Sequence, residues 1–129
     1  MNYETMNDYA FSHLTFKQGF VLSTYAELCE TFGKPLPGDG YRTRAEWVVV
    51  FKDEHGNLDT VATIYDWRRD EPLDKVTFWS VGGHKHEAVE CVEAAIDYVK
   101  DMNNHDYAER MEQWDFEWAE QEARASYKI

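Results

Sequence analysis

Basic side chains are scarce. Lys and Arg number 13 against 25 Asp and Glu, giving a formal charge of -12 and an isoelectric point near 4.7, a balance that repels phosphate backbones and anionic lipid. General nucleic-acid binding is disfavoured, and neither direct nucleic acid nor a membrane is an expected partner. Long apolar runs are also missing. No stretch approaches the roughly 20 residues that cross a bilayer, and the opening MNYETMNDYAF lacks the basic and apolar regions of a secretory signal, so a cytoplasmic location is expected. Cysteine is limited to Cys29 and Cys91, without C-x-x-C spacing. This disfavours a disulfide framework or a structural zinc site and suits two small buried hydrophobes in a reducing compartment. Repeats, low-complexity tracts and flexible linkers are absent, and 129 residues fit one domain, 1–129.

Aromatic residues are plentiful: five Trp, eight Tyr and seven Phe bury enough area to offset chain entropy, which excludes wholesale disorder. Residues 1–12 show no steady period and read as a poorly specified arm. A short strand fits within 11–22, with Leu14 and Phe16 on one face. Thr24-Tyr25-Ala26-Glu27 matches a capping box, and Gly33 with Pro35 ends the short helix that it starts. AEWVVVFK over 45–52 and VATIYDW over 61–67 form a hairpin around His55-Gly56-Asn57. Trp47, Val49 and Phe51 share one face of the first strand and Val48 and Val50 the other, so the strand is expected to be covered on both sides or central in the sheet. A third strand is read over 75–81, closed by a Gly82-Gly83 turn. Apolar residues at 88, 89, 92, 95, 96, 99 and 102 predict a helix over 87–102. After Asn103-Asn104-His105, a second long helix ends near Ser126. The expected fold is α+β: a three- to four-stranded antiparallel sheet, a short N-terminal helix and two C-terminal helices, the last long and acidic.

Charge is concentrated in the acidic helical segment 87–126. Twelve acidic residues between His86 and Ala123 meet only Lys100 and Arg110. Glu87, Glu90, Glu93, Asp97 and Asp101, and then Glu109, Glu112, Asp115 and Glu120, fall in rows with helical neighbours about 5–6 Å apart, close to phosphate spacing on a nucleic-acid strand. These rows are the candidate partner-binding surface; the bland alternative is a solvated face. A second candidate is an anion site at Gly82, Gly83, His84 and Lys85, where a helix N-terminus follows two glycines, with Arg42 and Arg44 contributing and the aromatics Tyr41, Trp47, Tyr65 and Trp67 nearby. Those aromatics serve a core at least as well. His84 and His86, two apart on a helix, face away from each other, so no metal or other cofactor is expected. Tyr107, Met111, Trp114 and Trp118 form an apolar seam on the last helix, expected to pair in a homodimer. No nucleophile–base constellation, P-loop or dinucleotide fingerprint is present, and no catalytic activity is expected.

The runs FGKPLPGDGYRTRAEWVVVF, VATIYDW and FWSVGGHKHEAVECV resemble a group of small uncharacterised bacteriophage-encoded proteins that carry AEW, ATIYDW and W-x-[VI]-G-G motifs. The resemblance covers roughly residues 28–99. It implies a phage product acting in the host cytoplasm. The leading expectation is accordingly a non-enzymatic, DNA-mimic-like anti-defence inhibitor whose acidic helices bind a host protein through its basic nucleic-acid-binding groove. The alternative is a small-nucleotide-binding protein or sponge using the Gly82-Gly83 site.

Overall fold

The structure is a computed structural model that describes residues 2–104. The chain divides into two compact units, Met1–Asp97 and Tyr98–Ile129. In the first unit β1 (Asn2–Met6), β2 (Phe16–Leu22), β3 (Glu46–Lys52), β4 (Leu58–Tyr65) and β5 (Phe78–Gly83) form one sheet in the order β1-β3-β4-β5-β2. All four pairings are antiparallel. Helix α1 covers Tyr25–Phe32, and α2 is helical over 87–104. Of the second unit the described residues are 98–104, and they are helical.

The α+β class is as expected, but the sheet has five strands instead of three or four. The extra strand is β1, drawn from the supposed arm: its five residues are too few for a period to emerge alone, and pairing with β3 supplies the order. Tyr3 then packs its ring on Phe32 and Phe51, with centroids 5.5 and 5.8 Å away. β2 occupies the second half of the 11–22 segment. The third strand lies later than read. Lys75 closes a 3-10 turn over Leu73–Lys75, and Gly82 and Gly83 continue β5 instead of forming a turn. The second long helix, with Glu109, Glu112, Asp115, Glu120 and the Tyr107, Met111, Trp114 and Trp118 seam, lies outside the described residues.

Helices α1 and α2 share one face of the sheet. There Trp47, Val49 and Phe51 meet Ala62, Ile64, Trp79 and Val81, capped by Leu28 and Phe32 of α1 and by Ala88, Val92 and Ala95 of α2. Thr24 starts α1 through the expected reciprocal box: its Oγ1 accepts the Glu27 N–H at 3.1 Å, and Glu27 Oε1 accepts the Thr24 N–H at 2.9 Å. The two buried indoles fix the segments at the ends of α1, Trp79 donating to Ser23 O at 3.0 Å and Trp47 to Gly33 O at 2.8 Å. Their rings meet edge to face at 5.5 Å, the geometry that ring quadrupoles favour. The opposite face is open to the loops. It carries a smaller cluster of Val48, Val50 and Val61 with Met6 and Leu36, which confirms that β3 is covered on both sides.

Gly82 and Gly83 have separate reasons to be glycine. A Cβ on Gly83 would lie 2.7 Å from Ala88 Cβ, so its absence lets α2 seat closely on β5. A Cβ on Gly82 would project from the opposite face into Thr63 Oγ1 and against the Tyr65 ring.

Candidate functional site

The helix-free face contains a cleft of about 520 Å³, lined by Tyr9, Thr15, Phe16, Gly38, Asp39, Arg42, Thr43, Glu46, Thr63, Tyr65, Trp67 and Gly82. Its floor is sheet. Glu46 faces Tyr65 in the β3–β4 register, and Thr63 faces Gly82 in the β4–β5 register. Strand alternation puts Glu46 on the same face as Val48 and Val50, and bare Gly82 leaves open the space that any other residue would fill.

The rim is a loop stapled by one carboxylate. Asp39 Oδ1 accepts the backbone N–H groups of Tyr41, Arg42 and Thr43 at 2.9, 2.7 and 2.9 Å. The Thr43 and Tyr41 amides, with smaller help from the Arg42 amide and its cationic side chain, hold its pKa down to about 2. Tyr9 reaches across from the N-terminal segment, its hydroxyl accepting the Gly38 N–H at 3.0 Å. Asp39 is therefore committed to folding the rim.

Glu46 is different. Its carboxyl is half-buried, and burial first, then the negative charge of Asp39, push its pKa above the ordinary carboxylate value. Among the described residues it has neither an ion-pair partner nor a hydrogen-bond donor. Burial, followed by the Glu46 charge, raises the pKa of Tyr65, whose ring meets Trp67 edge to face at 6.2 Å. Trp67 is 42% exposed and attracts two guanidinium groups, Arg42 at 5.6 Å and Arg68 at 5.4 Å from its centroid.

The residues proposed for an anion site distribute themselves differently. Arg42 and Gly82 line the cleft. Arg44 is spent on buried Asp66: its Nε donates to Oδ2 at 3.0 Å, while Oδ1 accepts the N–H groups of Arg44 and Ala45 at 2.8 and 3.0 Å. Lys85 Nζ lies 3.8 Å from Asp59, and His84 Nε2 is 3.0 Å from His13 O. Gly83 packs on α2. The basic side chains around the hairpin are thus largely paired, as Lys52 is with Glu4 at 3.2 Å and Arg69 with Glu71 at 3.7 Å.

On α2, Glu87, Glu90, Glu93, Asp97 and Asp101 are all exposed. Among the described residues no three His, Cys, Asp or Glu side chains gather as a metal site would require, and no helix is long and apolar enough to cross a membrane.

Sequence reasoning missed Glu46, Asp39 and Thr63. A signal for Glu46 existed, because it is the single acidic residue in EWVVVF and alternates in phase with Val48 and Val50. No protein-family model, curated protein or solved structure matches this chain.

Proposed function

We propose that the protein is a small-molecule-binding module whose site is the cleft on the helix-free face of the sheet. The observation that carries this reading is a half-buried carboxyl, Glu46, without a partner among the described residues, on the floor of an open cleft of about 520 Å³. A half-buried acid left unpaired costs stability, and a ligand donor is what would offset that cost. Around it stand aromatic groups and hydroxyls that give orientation and contact area. The lining offers groups for recognition, and the reading is of a binding site. From the small-nucleotide alternative it keeps a small ligand but not the nucleotide, and it moves the site from the Gly82-Gly83 segment to the Glu46 floor.

Thermal shift against a broad panel of small molecules tests it. A ligand at about a hundred times its dissociation constant adds roughly 2.7 kcal/mol of stability, and Trp67→Ala, which removes one wall of the cleft, should reduce that gain. If no compound stabilises the protein, or if Trp67→Ala leaves every gain intact, the reading fails.

A second reading is favoured by the exposed carboxylates of α2. Glu87, Glu90, Glu93 and Asp97 stand in solvent at helical spacings of three and four residues, consistent with docking into a basic groove of a nucleic-acid-binding protein. Displacement of duplex DNA from purified bacterial DNA-binding proteins tests it. Displacement should occur at low salt, weaken as salt screens the charges, and disappear with Glu90→Gln combined with Asp97→Asn.

A further inference from the structure

The cleft also constrains what enters it, and this inference rests on the cleft reading above. Three charged side chains line it: Asp39, Arg42 and Glu46. Asp39 Oδ1 accepts three backbone amides and the Thr43 hydroxyl, and its Oδ2 lies 3.7 Å from Arg42 Nε. Arg42 has its Nε 3.7 Å from Asp39 Oδ2 and its guanidinium over Trp67. Only Glu46 is uncommitted among them. Tyr65 faces Glu46 across the strand pair, and its hydroxyl likewise has no hydrogen-bond partner among the described residues, so the cleft lining holds a second acceptor.

We propose that the ligand of this cleft is a small organic cation, an amine or guanidinium, held by an ion pair to Glu46 with the Tyr65 hydroxyl accepting a further N–H. Three features point the same way. The lining carries two carboxylates against one guanidinium. Residues 1–86, which supply the whole cleft, hold 13 acidic against 9 basic side chains, a balance that favours cations over anions. The walls are rich in aromatic side chains, whose faces attract cations, as Trp67 already does for Arg42 and Arg68. A phosphate-bearing ligand would have to sit beside Glu46 and Asp39, with Arg42 the one cationic side chain of the lining and already turned to Asp39.

Isothermal titration decides it, using agmatine as the cation, AMP as the anion and indole as the neutral ring, at physiological ionic strength so that loose attraction to the acidic surface is screened. The titrated proteins are the wild type, Glu46→Gln, Trp67→Ala, and Glu54→Gln as a control for an exposed carboxylate that does not line the cleft. Agmatine should bind the wild type and Glu54→Gln alike, and Glu46→Gln, which keeps shape and removes charge, should weaken it by about tenfold or more. Preference for AMP or indole, or equal agmatine binding to Glu46→Gln with loss in Trp67→Ala, would overturn the cation and leave the cleft standing. Binding of no probe, or binding untouched by both cleft variants, would overturn the cation and the cleft together.

Discussion

Glu46 and Tyr65 face each other across the β3–β4 ladder on the helix-free side of the sheet, each with its acidic group displaced upward by burial, and Tyr65 further by the charge of Glu46. The pair gives the cleft its electrostatic character. An acid held above its usual pKa favours the proton in the folded state, so the cost of its ionised form appears as pH rises from its ordinary 4.5 through its higher folded value. Tyr9, Asp39 and Arg42 on the rim and Tyr65 on the floor are the titratable or charged groups that share its cleft. Glu46→Gln escapes the cost. Its melting temperature relative to wild type should be unchanged in acid and rise across that window toward neutral pH, and a constant difference at all pH values would contradict the assignment.

Asp39 has the opposite sign. Its folded pKa of about 2 lies below its ordinary 3.8, so its stabilising contribution is present above the ordinary value and lost as pH falls through the folded one. Asp39→Asn keeps a carbonyl oxygen for the loop amides but removes the charge. Wild type should be the more stable at pH 5, and the gap should close as pH approaches 2, read by circular dichroism melts.

The two glycines of β5 should respond differently to alanine. Gly83→Ala forces Cβ against Ala88 Cβ and within 2.9 Å of Val61 O, parting α2 from the sheet at a cost of about 2 kcal/mol. Gly82→Ala pushes on Thr63 and Tyr65 instead. It should reduce ligand affinity by filling the cleft floor, while Gly83→Ala, once folded, should bind normally.

Thr60 is buried on β4, and its hydroxyl has no hydrogen-bond partner among the described residues. Replacing an unpaired buried hydroxyl with a methyl removes a desolvation cost. Thr60→Val should therefore stabilise by about 1 kcal/mol in urea unfolding; destabilisation would mean that the hydroxyl has a partner after all.

Elements with strong local signals were legible in the sequence. The Thr24–Glu27 box starts α1, and the alternation in 45–52 gives β3 its two buried faces. β1 was not legible because an edge strand of five residues takes its order from its neighbour. Gly82 and Gly83 looked like a turn because glycine marks both turns and close approach, and only the tertiary partners Thr63 and Ala88 separate the two. The cleft was least legible. It gathers residues from the 9–16 segment, the 38–46 segment and three strands, and no local pattern joins Asp39 to Glu46 or either to Thr63 and Gly82.

The most direct measurement of the central claim, that the helix-free cleft is the ligand site, is a two-dimensional amide NMR titration of the wild-type protein with agmatine. Progressive shifts should centre on Glu46, Thr63, Tyr65 and Gly82, with Val92 and Ala95 on the helix-covered side unmoved. Shifts confined to the exposed carboxylates of α2, Glu90 to Asp97, or no saturable shift at the four floor residues, would contradict it.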